Sequence, residues 1–389
     1  MIFRKQLYIV LGTFIILFYS CRSTGKNEVV FETATMNELT DLIDHIQAVR
    51  LEHGDSIFIG RNPFIFQRDS SFYLFDKSAQ KKIYRFTLDG RFMNTIGKVG
   101  TGPGEYPDIN QVIIDEKEDD VLMLSYSSYL YRYAKNGQFK ERINKTDIQI
   151  QSFIRIDSVL WLHALNVNSD TIYILKSNLR LEVSDTLKLV QPGTKDSAVH
   201  RPYSLPLYFR FIDHKVCFAV SPYPQINEID ENRVQEKIRF RFVPEEYASK
   251  RDLETIGLRE LFDFKKLQFL VDFYENEDYL FVYFQCGGHK TGGNLILAVQ
   301  EKSTGKWRWL DEKVSVPDFN QYHWYTGRIC GMGKDGGLMC YIPTPQPLEA
   351  YKAVKQLIVN PELFSSVDEE MDMYIFMCYL KPPYLLGQK

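Results

Sequence analysis

A ten-residue pattern recurs at an interval of 47 positions. Ile83 to Phe92 reads IYRFTLDGRF and Leu130 to Phe139 reads LYRYAKNGQF, so Tyr84, Arg85, Phe86, Gly90 and Phe92 match Tyr131, Arg132, Tyr133, Gly137 and Phe139. Each copy holds an alternating run, a two-residue turn (Asp89-Gly90 or Asn136-Gly137) and a second run, which is the signature of a β-hairpin. A further strand-like run precedes each, FYLFD at 72–76 and VLML at 121–124. A unit of three or four short antiparallel strands cannot bury its own faces, so a period of this size implies stacked copies, as in a propeller or solenoid.

Degenerate copies follow at 158–183, 216–242 and 279–310. A sixth is formed by GRICGMGKDGGLMCYIP at 327–343 together with MYIFMCYLK at 373–381. The expected fold is all-β, a six-bladed β-propeller with short helical insertions in the later blades. The insertions are PEEYASKRDLETIGLRELF from Pro244 and PLEAYKAVKQL from Pro347, each with proline at a first-turn position and acids behind it. A ring of blades must close to protect its sheet edges, and EVVFET at 28–33 is the N-terminal strand expected to complete the last blade. With 44% hydrophobic and 14% aromatic residues the chain has apolar surface enough for one large β unit, and a net charge of −3 argues against a nucleic-acid partner.

The N-terminus reads as an address. Arg4 and Lys5 precede an apolar run of 13 residues, Leu7 to Tyr19, which ends in Ser20-Cys21. That is shorter than the roughly 20 residues of a spanning helix and has the form of a secretory signal peptide. A small residue before a cysteine at the end of such a run resembles the bacterial lipobox, although Leu17 sits one place early. Cys21 is therefore the expected lipidation site. The domain plan is a signal peptide at 1–20, a lipidated tether at 21–28 and the propeller at 29–385.

IGKVGTGPGEYPDI, Ile96 to Ile109, resembles the glycine-rich inter-blade segment of six-bladed β-propeller lipoproteins of Bacteroides-type bacteria, a family similar in fold to NHL-repeat proteins. PYPQINEIDENRVQEKIRFRF and MYIFMCYLK are similar to that family's fourth-blade and terminal patterns. The resemblance covers nearly the whole mature chain, and its specific part is Gly100 to Tyr106. It implies a propeller in the cell envelope, anchored by lipid to the outer membrane, and it carries no catalytic residues.

Several motifs invite chemistry and fail on context. The glycines of the 97–106 segment suggest a phosphate cradle, but prolines and a strand-like QVIID follow where a helix N-terminus is needed. Gly97, Gly100, Gly102, Pro103 and Gly104 are instead expected to form a structural turn between blades. Gly331, Gly333 and Gly336 satisfy GxGxxG, yet a strand follows, so a hairpin turn at Asp335-Gly336 is expected. The seven histidines never take HxH or HExxH spacing, and Cys286 and His289 lack a second pair, so no metal site is assigned. The acidic run DEKEDD at 115–120 lacks the alternating ligands of a calcium loop and reads as a solvated turn. No GxSxG occurs, and no cofactor is implied. Apart from Cys21 the cysteines are scattered singly and read as buried thiols, with a Cys330–Cys340 disulfide as the alternative for the pair that flanks a glycine-rich turn.

Aromatic residues remain. Tyr126, Tyr129, Tyr131 and Tyr133 cluster in one hairpin, and Trp307 and Trp309 alternate on a strand. Both sets read as inter-blade core. His323, Trp324 and Tyr325 fall in a loop and are the candidate ligand-binding residues. The expected function is a lipid-anchored binding or scaffold module for a glycan, a peptide or an envelope protein, more a binder than an enzyme. The alternatives are a hydrolase or lyase acting on a glycan or peptide, with a divalent metal and convergent carboxylates or histidines at the channel mouth, and a structural subunit of an outer-membrane complex.

Overall fold

Each Asp-Gly or Asn-Gly hairpin places its glycine at positive φ, +88° at Gly90 and +89° at Gly137, where a residue with a Cβ is strained. Strand alternation around these turns then builds one blade after another. The computed structural model describes residues 27–383 apart from 55–56, 61–62, 69, 77–79, 116, 145–148, 166–170, 191–208, 220–222, 231–232, 257, 289–292, 315–329 and 344–346.

Six sheets form the ring. Blade 1 comprises β3 (Phe64–Arg68), β4 (Ser71–Asp76), β5 (Lys82–Thr87) and β6 (Phe92–Ile96). Blade 2 comprises β7 (Gln111–Asp115), β8 (Asp120–Leu124), β9 (Tyr129–Ala134) and β10 (Phe139–Asn144). Blade 3 holds β11 (Gln149–Ile156), β12 (Val159–Leu165), β13 (Thr171–Ser177) and β14 (Val183–Val190). Blade 4 holds β15 (Arg210–Ile212), β16 (Lys215–Ala219), β17 (Gln225–Asp230) and β18 (Arg233–Phe242). Blade 5 holds β19 (Leu267–Glu275), β20 (Tyr279–Gly287), β21 (Gly293–Glu301) and β22 (Lys306–Val314). Blade 6 holds β23 (Gly331–Met332), β24 (Leu338–Ile342) and β25 (Met373–Leu380), with β2 (Ile43–Leu51) as its outer strand. Short helices interrupt the connections that enter blade 5, α1 (Lys250–Thr255) and α2 (Leu258–Phe264), and that lie within blade 6, α3 (Pro347–Val354). Ser249 caps α1 through the amide of Asp252 at 3.2 Å, and Asp252 returns the bond to the Ser249 amide.

Closure differs from the sequence expectation. The strand that completes blade 6 is β2, antiparallel to β25 from Ile43–Leu380 to Leu51–Met373. The EVVFET segment instead supplies β1 (Glu28–Phe31), which lies parallel to β18 and adds a fifth strand to blade 4. The reason is packing: the Phe31 ring sits among Phe240, Phe242, Trp307 and Trp309, with centroids 5.2 to 6.1 Å away, and so seals blades 4 and 5. Between β1 and β2 the chain crosses blade 5, where the amides of Thr35 and Met36 donate to the carbonyl of Trp309.

The core is a set of inter-blade layers. Phe64, Tyr73, Phe75, Tyr106, Tyr131 and Tyr133 fill the seam between blades 1 and 2. Leu122, Leu124, Phe153 and Leu162 fill the next seam, and Ile46, Tyr279, Phe281 and Phe376 hold blade 5 to blade 6. Because the strands alternate in direction, every inner strand begins on one face of the ring. That face carries the long connections at 97–110, 243–266 and 343–372, while the opposite face carries tight hairpins.

Candidate functional site

The six inner strands, β3, β7, β11, β15, β19 and β23, enclose an axial cavity of about 630 Å³. They approach one another in pairs. The amide of Ile65 donates to the carbonyl of Cys330 at 2.9 Å, and a Cβ on Gly331 would lie 2.0 Å from the Ile65 oxygen, so β23 and β3 are in backbone contact. The Gln111 side chain bridges β7 to β11 by donating to Phe153 O at 3.0 Å and accepting from Phe153 N at 2.7 Å, while Asn110 donates to Gln151 O. Arg210 of β15 donates to Asp272 of β19 at 2.7 Å, and its guanidinium lies 5.0 Å from the centre of the Tyr274 ring.

Three seams separate those pairs, and apolar side chains reach the cavity through them. Phe66, Phe75 and Ile114 do so between blades 1 and 2, Ile154 and Phe209 between blades 3 and 4, and Tyr274 and Met332 between blades 5 and 6. The charged lining is concentrated where inner strands end, on the hairpin face, in Arg68, Asp115, Lys117, Arg155, Asp157 and Glu275. Asp115 and Arg155 form an ion pair whose side chains are 5% and 6% exposed. Burial holds the Arg155 guanidinium below its ordinary pKa. Its Nε donates to Asp157 O at 2.6 Å. Glu275 accepts from Lys302 at 3.0 Å and from the Asp213 amide at 2.6 Å. The channel therefore offers an apolar waist and one polar mouth whose carboxylates are engaged by cations. Among the described residues no group of three His, Cys, Asp or Glu side chains is placed to hold a metal ion.

The glycine segment forms a closed turn on the long-loop face. Gly97, at φ +68°, leaves room for the Tyr106 and Tyr133 rings, which a Cβ would meet at 2.8 to 2.9 Å. Gly100, Gly102, Pro103 and Gly104 curl around Glu105, whose carboxylate accepts from the Gly102 amide at 2.9 Å and from Lys98 at 2.6 Å. Those two hydrogen bonds hold the Glu105 carboxyl below its ordinary value. The place an anion would take is filled by the chain's own carboxylate.

The other candidates disperse. Tyr131, Tyr133 and Trp309 are buried, Trp307 packs on Phe240, and Tyr126 is exposed. The acidic run is not simply solvated: Asp115 is paired as above, and buried Asp120 is held by Arg132 and Lys140. Cys330 faces the seam toward blade 1 and Cys340 the seam toward blade 5, so the two lie on opposite faces of blade 6 and no disulfide joins them. His323, Trp324 and Tyr325, in the connection from β22 to β23, lie outside the described residues, as does Cys21. Sequence reasoning missed the channel lining. Each strand gives it only a few residues, and only an inner position in a blade marks them.

A family model described as a domain of unknown function, DUF4934, matches residues 27–370. The chain belongs to the DUF4934 family. No curated protein matches the sequence. Among solved structures, this DUF4934 chain resembles a presumed exported protein of Bacteroides fragilis, with a TM-score of 0.66 at 14% identity over 90% of this chain and 99% of that one. At that identity the likeness is one of fold. BamB of Moraxella catarrhalis (TM-score 0.38, 13% identity, 75% of each chain) and the WD40 repeats of RRP9 (0.46, 9%, 87% of this chain and 100% of that one) superpose too loosely to carry an argument.

Proposed function

We propose that the protein is exported, anchored by lipid on Cys21 to the periplasmic side of the outer membrane, and acts there as a binding module whose ligand occupies the axial channel. The observation that carries the binding site is the channel itself. A volume of about 630 Å³ lies within the range of pockets that hold small molecules, roughly 300–1,000 Å³, and its walls come from all six blades. An apolar waist with a polar mouth suits an elongated ligand with an apolar body, such as a peptide with bulky side chains or a glycan presenting the apolar faces of its rings. Cys21, at the end of the signal-like run, supports the anchor, and RSTGK behind it has no acidic cluster that would suit surface export.

The hydrolase reading requires a pair of carboxyl groups with separated roles at one site. Asp115 and Glu275 are each tied to a cation, which suits a binding surface. A thermal-shift screen with glycans and peptides tests the proposal, since a ligand at 100 times its dissociation constant adds about 2.7 kcal/mol. The expected result is a shift that disappears in Ile113→Trp, which enlarges a β7 side chain that lines the cavity. A broad library without a shift, or a shift that survives the substitution, overturns it.

A further inference from the structure

The tether and the body are joined at a defined place on the ring. Residue Cys21 precedes Glu28 by seven positions, a reach of about 25 Å at full extension. Glu28 already belongs to the fold: β1 runs along the outer edge of β18, and the Asn27 carbonyl accepts from the Arg239 amide at 3.0 Å. The buried Phe31 ring fixes that strand between blades 4 and 5. β1 therefore begins on the rim of the disc rather than on either face.

The rim at that point carries exposed apolar side chains among paired charges. Val30 and Val243 are 39% and 42% exposed and flank each other, since the Val243 amide donates to the Phe31 carbonyl. Arg241, with 47% of its side chain exposed, stands opposite Val30 in the β1–β18 pairing and reaches Glu28 at 3.4 Å, and half-buried Arg239 is held by Glu236. Exposed valines beside the long, ion-paired stem of Arg241 suit the boundary between acyl chains and headgroups. The opposite rim, blade 1, lies across the whole ring.

We infer that the propeller rides edge-on, with the β1–β18 rim of blade 4 against the lipid surface and the channel axis parallel to it. Both channel mouths then open sideways into the aqueous space. This orientation rests on the anchor proposed above, and the two can fail separately.

The test uses the acylated full-length protein on vesicles containing anionic phospholipid and a headgroup-quencher lipid. A fluorophore is placed on one introduced cysteine at a time: Val30→Cys and Val243→Cys on the blade 4 rim, Met93→Cys on the blade 1 rim, Phe58→Cys on the long-loop face and Lys334→Cys on the hairpin face. The described native cysteines are buried and stay unlabelled. Strong quenching at Val30 and Val243, with none at Met93, Phe58 or Lys334, is the expected result. Stronger quenching at Phe58 or Lys334 than at Val30, or equal quenching everywhere, overturns the edge-on orientation and leaves the anchor standing. Failure of the wild-type chain to float with the vesicles, matched by Cys21→Ala, removes the anchor and the orientation together.

Discussion

Blades 1 and 2 are each spun from one continuous stretch of chain, whereas blade 6 is assembled from both ends, with Leu51 of β2 paired to Met373 of β25. The two kinds of blade are nonetheless built to one pattern. In blade 2, a Cβ on hairpin Gly137 would come within 2.6 Å of the Thr95 carbonyl on the outer strand of blade 1. In blade 1, a Cβ on Gly90 would come within 1.9 Å of the Arg50 carbonyl. Arg50 lies on β2, so β2 receives the next blade's hairpin just as β6 does. The comparison shows that the ring treats the N-terminal strand as an ordinary outer strand and that the repeat glycines serve blade-to-blade contact as well as the turn.

The comparison breaks most severely if β2 is removed. Deleting residues 27–51 strips blade 6 of its outer strand and uncovers Phe376 and Ile375, so the cooperative melt is expected to vanish in calorimetry. Appending residues 43–51 behind β25 through a short turn makes blade 6 continuous and should restore a folded ring, because Ile43 and Leu380 are already neighbours. A permuted chain that stays unfolded would show that β2 needs the N-terminal crossing for more than delivery.

Continuous blades have a weakness of their own. His163 in blade 3 is 3% exposed, and neither ring nitrogen has a hydrogen-bond partner among the described residues. Burial lowers its pKa to about 3. The unfolded chain takes up the proton near pH 6.5 and the folded chain does not, so stability falls as pH drops below 6.5 and the loss levels off near pH 3. The full loss is roughly 5 kcal/mol. Denaturant titrations from pH 7 to 4 should show this slope in the wild type and a flatter one in His163→Leu; equal slopes would remove His163 as the cause.

Next in size is the lock between β2 and the start of β25. Arg50 binds Asp372, whose side chain is fully buried, at 2.7 and 2.9 Å. Arg50→Ala leaves that carboxylate with the Asp368 amide and His53, and is expected to cost about 3 kcal/mol in a urea titration. A cost near that of an exposed ion pair, below about 1 kcal/mol, would mean that the closure is held by its backbone ladder alone.

The smallest effects discriminate most finely. Gly90→Ala and Gly137→Ala should each cost about 2–3 kcal/mol, because both combine positive φ with a backbone collision. Gly305→Ala, at φ +69° with no atom within 4 Å of the added Cβ, should cost about 1 kcal/mol. Equal losses at all three positions would show that the turn, not the contact between blades, sets the requirement.

The blade plan was legible because its signals are local. Asp89-Gly90 and Asn136-Gly137 announce hairpins without reference to any distant residue, and Pro347 leads its helix, whereas the helix expected from Pro244 begins only at Lys250, behind the Ser249 cap. The closing strand was not, because IDHIQAVRL mixes Asp44, His45 and Arg50 into its apolar positions and pairs with a strand at the far end of the chain. EVVFET looked more strand-like, and it is a strand, but the rings around Phe31 hold it on blade 4. The channel was illegible for a related reason. Phe66, Ile114, Ile154 and Met332 are ordinary strand residues until the ring brings them to one axis.

Hydrogen exchange on the intact protein tests most directly whether β2 closes the ring as a full member. The structure predicts that amides in 43–51 exchange as slowly as those in 92–96, opening only with global unfolding. Exchange in 43–51 faster by orders of magnitude, with β25 still protected, would contradict it.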